Sequence, residues 1–75
     1  MIYVENPLIS YLRVIKVLEM LGYSVKRQSG SHIILEQGGT EKIVVVPRHD
    51  TVKRGTLLNI IKQTGLDKDE FLGMV

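Results

Sequence analysis

The residues of this 75-residue chain best suited to chemistry are His32 and the basic pairs Lys26-Arg27 and Lys53-Arg54. His32 leaves a polar turn, Ser29-Gly30-Ser31, and leads directly into the apolar run Ile33-Ile34-Leu35. A histidine at the mouth of a strand is held by a stiff backbone. An unperturbed imidazole, with a pKa of about 6.5, takes or gives a proton near neutral pH. The nucleolytic reaction this inventory supports is metal-independent RNA cleavage. A base takes the proton of a ribose 2′-hydroxyl, the oxygen attacks the adjacent phosphorus, and cations stabilise the charge. DNA, without that hydroxyl, is not a substrate for such a step. His32 is then the base or its acid partner, and Lys26, Arg27 or Lys53 faces the phosphate.

The same residues admit a blander account. A lone histidine at the start of a strand more often fills a half-buried position and bonds a backbone carbonyl. Alternation puts His32 on the face of Ile34 and Glu36, but the turn at Gly30 can break that pattern. His49 sits in a loop, Pro47-Arg48-His49-Asp50, where Asp50 can orient an imidazole, although such histidines are more often merely solvated. A zinc site from His32 and His49 is not supported, because the pair lacks further ligands at short helical spacing. Lys53 and Arg54 precede Gly55-Thr56 at a helix start, where amides and cations together attract phosphate. Basic residues also flank loops simply for solubility.

The elements that must position these groups are legible as patterns. Apolar residues at Leu12, Ile15 and Leu18, flanked by Val14, Val17 and Leu21, have helical spacing, with Ser10 as cap and Gly22 as stop. Tyr23, Val25 and Arg27 alternate with Ser24, Lys26 and Gln28 in a first strand. Ser31 to Glu36 forms a second, and Gly38-Gly39 turns into a third over Ile43 to Val46. That third strand is apolar on both faces, which predicts a central or doubly covered position, and Pro47 ends it. Leu57, Leu58, Ile60 and Ile61 mark a second helix running to Gly65, with Thr51 and Thr56 competing for its cap. Asp67 with Glu70 is a capping-box pattern, and Leu66 is placed to staple onto Phe71 at the start of a short third helix. An irregular segment is expected up to Pro7. The result is a single α+β domain over residues 1–75: a helix, a three-stranded antiparallel sheet, a helix and a short C-terminal helix. This is the order of a double-stranded-RNA-binding-domain-like fold.

Composition narrows the classes further. The net charge is +2, but from Asn6 to Gln63 nine basic residues face four acidic ones, a local +5, while Asp67, Asp69 and Glu70 gather in the tail. Such a body suits a polyanion, and it also suits an ordinary solvated surface. Four aromatic residues, Tyr3, Tyr11, Tyr23 and Phe71, are too few for a sheet that stacks single-stranded bases. The absence of cysteine excludes disulfides and thiolate zinc sites and fits a reducing, cytoplasmic setting. No apolar run approaches the roughly 20 residues that span a bilayer, and Glu5 and Pro7 are unlike the basic start of a signal peptide.

Val14 to Phe71 resembles the HicA, or YcfA-like, toxins of type II toxin–antitoxin pairs. The resemblance rests on Val14, Ile15, Leu18, Glu19, Leu21, Gly22 and Tyr23; on Arg27 to His32; on Val45, Val46, Pro47 and His49; and on Gly55, Thr56, Leu57, Ile60 to Gln63, Gly65 and Leu66. It implies a double-stranded-RNA-binding-like fold, endonuclease action on mRNA without the ribosome, and inhibition by a HicB-like antitoxin; no cofactor is expected. The histidine of the family's Gly-Ser-His element is catalytic and falls on His32. The RNA contacts are expected from Lys26, Arg27, Ser31, Lys53 and Arg54. The chain departs from common family usage at Ile33, often a polar residue or a second histidine, and at Arg54, often proline. The readings from other classes are a non-catalytic RNA-binding module and a protein-interaction module of the same fold.

Overall fold

A computed structural model of the chain describes residues 9–75, and the irregular segment expected up to Pro7 lies outside them. The order is α1 (Tyr11–Met20), β1 (Tyr23–Ser29), β2 (His32–Gln37), β3 (Ile43–Pro47), α2 (Arg54–Thr64) and α3 (Lys68–Gly73). The architecture is the α+β arrangement expected.

Local chemistry accounts for most of the boundaries. Ser10 caps α1, its hydroxyl accepting from the Leu12 N–H at 3.0 Å, and Gly22 follows the helix at φ +94. Asp67 and Glu70 form the reciprocal capping box of α3, and Leu66 joins the cluster in which Phe71 is fully buried. The start of α2 differs from expectation. Its N-cap is Lys53, with no side-chain cap bond, and neither Thr51 nor Thr56 takes that role. Thr56 is already inside the first turn.

The three strands form an antiparallel sheet in the order β1-β2-β3. Helices α1 and α2 pack on one face. Val14, Val17 and Leu18 of α1 and Leu57, Ile60 and Ile61 of α2 meet Ile33, Leu35, Val44 and Val46 of the sheet in one core. Burying each large aliphatic side chain contributes roughly 1.5–3 kcal/mol. The Gln37 amide donates to the Leu21 carbonyl at 3.0 Å, and the Gly38 N–H to the Gly22 carbonyl at 3.2 Å, tying the end of α1 to the end of β2.

Two sequence expectations are corrected by the sheet. First, β2 is the central strand and β3 is an edge. Ile43 and Val45 are 53% and 43% exposed, while Val44 and Val46 are buried. The apolar run on both faces therefore does not signal double coverage. Second, β1 does not alternate throughout. Val25 pairs with Leu35 and Arg27 with Ile34, so Lys26 is an extra residue at a β-bulge. The bulge takes Arg27 off the Tyr23 face and puts it across from Ile34, on the face without helices.

Among the described residues no helix is long and apolar enough to cross a membrane.

Candidate functional site

His32 opens β2 because the chain reverses in two residues. Ser29 pairs with His32 across the Gly30-Ser31 turn, and Gly30 has φ +60 while Ser31 has a negative φ. A type II′ hairpin turn requires this combination, and glycine supplies the first position without strain. On the other side His32 pairs with Pro47 of β3. Its neighbour Ile33 is buried among the helices while His32 is exposed. The imidazole therefore stands on the open face with Ile34 and Glu36, as alternation from β2 requires, and has no role in the core. Ile33, where family members often carry a polar residue, points to the opposite side of the sheet and leaves the open face unchanged.

Around His32 the register places Ser29 directly across from it and Arg27 on the diagonal. Diagonal neighbours are within reach of a long side chain. Lys26 joins this face through its ammonium group, which lies 3.6 Å from the Glu36 carboxylate. Both partners are substantially exposed, so the pair adds at most about 1 kcal/mol and leaves Lys26 free to exchange partners. Glu36 itself sits four residues along the strand from His32, roughly 13 Å at 3.3 Å per residue, too far to exchange a proton with it directly.

The structure thus brings Lys26 and Arg27 onto the face of His32 and places Ser31 in the turn before it. Lys53 and Arg54 are held differently. Arg48 donates its backbone N–H to the Ser31 carbonyl at 2.6 Å, and the His49 carbonyl accepts from Tyr11 at 3.1 Å. The Val52 N–H bonds the Ile9 carbonyl at 2.8 Å. These contacts carry the loop after β3 past the start of α1 to the start of α2, where Lys53 and Arg54 lie in the helical layer at the His32 end of the sheet. Residue type and spacing do not mark Ser29 as a member of the site. Its signal is the two-residue turn, which forces the residue before it to pair with the residue after it.

The site is an open, cationic surface. A cleft of about 410 Å³ exists elsewhere, lined by Arg13, Lys16, Val17, Met20, Met74 and Val75 in the helical layer. It lies across the sheet from His32 and takes no part in the arrangement just described. Among the described residues no three carboxylate, imidazole or thiol side chains converge as a metal site would need. An exposed strand face with an imidazole, a hydroxyl and two cations fits an extended polyanion better than an enclosed small molecule.

A family profile described as the HicA toxin of bacterial toxin–antitoxin systems matches residues 13–66. No curated protein matches the chain.

Proposed function

The chain belongs to the HicA toxin family of bacterial toxin–antitoxin systems, and from that premise we propose that it is a cytoplasmic endoribonuclease that cleaves mRNA without a metal and is silenced by a HicB-like antitoxin. The observation that carries this reading is the exposed His32 on the open face, beside Ser29 and Arg27 and excluded from the core.

In the proposed reaction the ribose 2′-oxygen attacks the adjacent phosphorus as its proton leaves. The bond to the 5′-oxygen breaks and that oxygen gains a proton, giving a 2′,3′-cyclic phosphate and a 5′-hydroxyl end. His32 moves one of these two protons, as the base at the 2′-oxygen or the acid at the 5′-oxygen. Arg27 and Lys26 stabilise the negative charge that builds on the phosphate, and Ser31, Lys53 and Arg54 hold the flanking backbone. The antitoxin silences the enzyme by covering this face.

The test is cleavage of a defined mRNA by the wild type and His32→Ala in the presence of EDTA. General acid–base catalysis contributes about 10²–10⁴-fold, and the variant is expected to lose activity in that range. Because His32 is exposed, the stability of the variant in thermal unfolding should stay within about 0.5 kcal/mol of the wild type. Equal cleavage by the two proteins refutes the catalytic role. Salt-sensitive RNA binding with intact chains after long incubation identifies a non-catalytic RNA-binding module instead. The exposed Ile43 and Val45 favour a protein-docking role for the neighbouring part of this face, and that role is compatible with inhibition by a partner.

A further inference from the structure

The two edges of the sheet are treated unequally. On β1 the edge carries a bulge and the charged side chains of Lys26 and Arg27. These are devices that prevent a second chain from adding to a sheet. On β3 the edge residues Ile43 to Val46 have no charge, no bulge and no proline before Pro47.

The direction of the backbone groups on β3 follows from two bonds at the ends of its ladder with β2. Arg48 N–H donates to Ser31, and Gln37 N–H donates to the Lys42 carbonyl at 3.0 Å. Both pairs belong to the same register as His32 with Pro47 and Leu35 with Val44. In an antiparallel ladder hydrogen-bonded and non-bonded pairs alternate. Residues 42, 44, 46 and 48 therefore turn their backbone groups toward β2. Ile43, Val45 and Pro47 turn theirs outward, and among the described residues no strand lies beyond them. The outward row holds the N–H and C=O of Ile43 and Val45 and the C=O of Pro47. The side chains of Ile43 and Val45 are exposed beside it.

We propose that this edge is completed by an extended strand of the antitoxin, which adds to β3 by backbone pairing with Ile43 and Val45. The proposal rests on the antitoxin reading given above and specifies how the partner is held. The added strand presents apolar side chains toward Ile43 and Val45 and carboxylates toward Lys42 and Arg48, which flank the apolar run on the other face. Pairing of this kind takes affinity from the main chain and specificity from alternate side chains. It brings the partner to the strand that pairs with His32 through Pro47. RNA offers no match for an apolar edge with aligned amide groups. A second copy fits poorly. Antiparallel pairing centred on Val45 sets Lys42 against Arg48 twice, and pairing centred on Val44 sets Lys42 against Val46 and leaves both cations without a carboxylate.

The experiment is amide hydrogen exchange on the toxin, alone and with its cognate antitoxin, read residue by residue. In the free toxin the amides of Val44 and Val46, bonded to β2, exchange slowly, and those of Ile43 and Val45 exchange fast. Bound antitoxin is expected to slow Ile43 and Val45 by about tenfold or more while Val44 and Val46 stay as they were. Val45→Pro removes one outward N–H at a position where an edge strand tolerates proline. It is expected to weaken the complex by about tenfold or more, whereas Val45→Thr, which keeps the N–H, binds nearly as the wild type does. If Val45→Pro fails to fold, the exchange pattern of the wild type decides alone. Antitoxin that binds while Ile43 and Val45 keep exchanging fast overturns the strand addition and leaves the toxin–antitoxin reading standing. Absence of binding overturns both. Protection of these two amides by RNA, or by raising the toxin concentration alone, assigns the edge to another occupant and overturns the proposal.

Discussion

Deleting Lys26 probes the feature that puts Arg27 beside His32. In the observed register every residue of β1 except Lys26 has a partner on β2: Tyr23, Ser24 and Val25 oppose Gln37, Glu36 and Leu35, and Arg27, Gln28 and Ser29 oppose Ile34, Ile33 and His32. Removing Lys26 joins these two blocks into one regular ladder without moving any other pair. The interaction lost is the ion pair with Glu36, whose side chains are 59% and 36% exposed. Solvent screening limits that loss to at most about 1 kcal/mol. For a domain of this size such a change moves the melting temperature by about 4–8 °C at most. Arg27, Ser29 and His32 keep their face, so RNA cleavage should fall by about tenfold or less. The salt dependence of RNA binding should weaken by about 0.7 in its logarithmic slope, the share of one phosphate contact on a single strand. Thermal unfolding, cleavage and binding across a salt series measure all three. Under uninterrupted alternation the same deletion would turn every residue after Val25 to the wrong face. A loss above about 3 kcal/mol, or of cleavage to the level of His32→Ala, would therefore refute the bulged register.

Other substitutions test the core. Phe71 is fully buried where α3 closes the helical layer, and Phe71→Ala is expected to cost about 3–5 kcal/mol in urea unfolding. A cost under about 1 kcal/mol would show that α3 does not seal the core. The Tyr23 hydroxyl is buried with no hydrogen-bond partner among the described residues. Tyr23→Phe is therefore expected to leave stability unchanged or raise it by about 1–3 kcal/mol, the cost of an unpaired buried polar group. Destabilisation beyond about 1 kcal/mol would mean that the hydroxyl has a partner.

Much of this molecule is legible from local pattern. The period of the apolar residues, the Ser10 cap and the Asp67–Glu70 box mark α1 and α3 because each depends on residues within one or two turns. The start of α2 is less legible. Thr51 and Thr56 have the chemistry of a cap, but the Val52 N–H is held by Ile9 and the helix begins after Lys53. A contact far along the chain places that boundary. His32 stands out from its turn and strand alone, and its partners across the sheet do not. Arg27 reads as a residue of the Tyr23 face until the bulge is known.

By itself the sequence determines the element order, the turn that sets His32 at the head of a strand, the cationic bias of the body and membership in the HicA family. These follow from short-range sterics, local hydrogen bonding and the identity of residues at fixed spacing. The tertiary structure decides which strand is central, where β1 gains its extra residue, and that β3 leaves Ile43 and Val45 facing outward. Those outcomes depend on hydrogen-bonded pairing between separate segments. An apolar run has the same composition whether one or two neighbours satisfy its backbone.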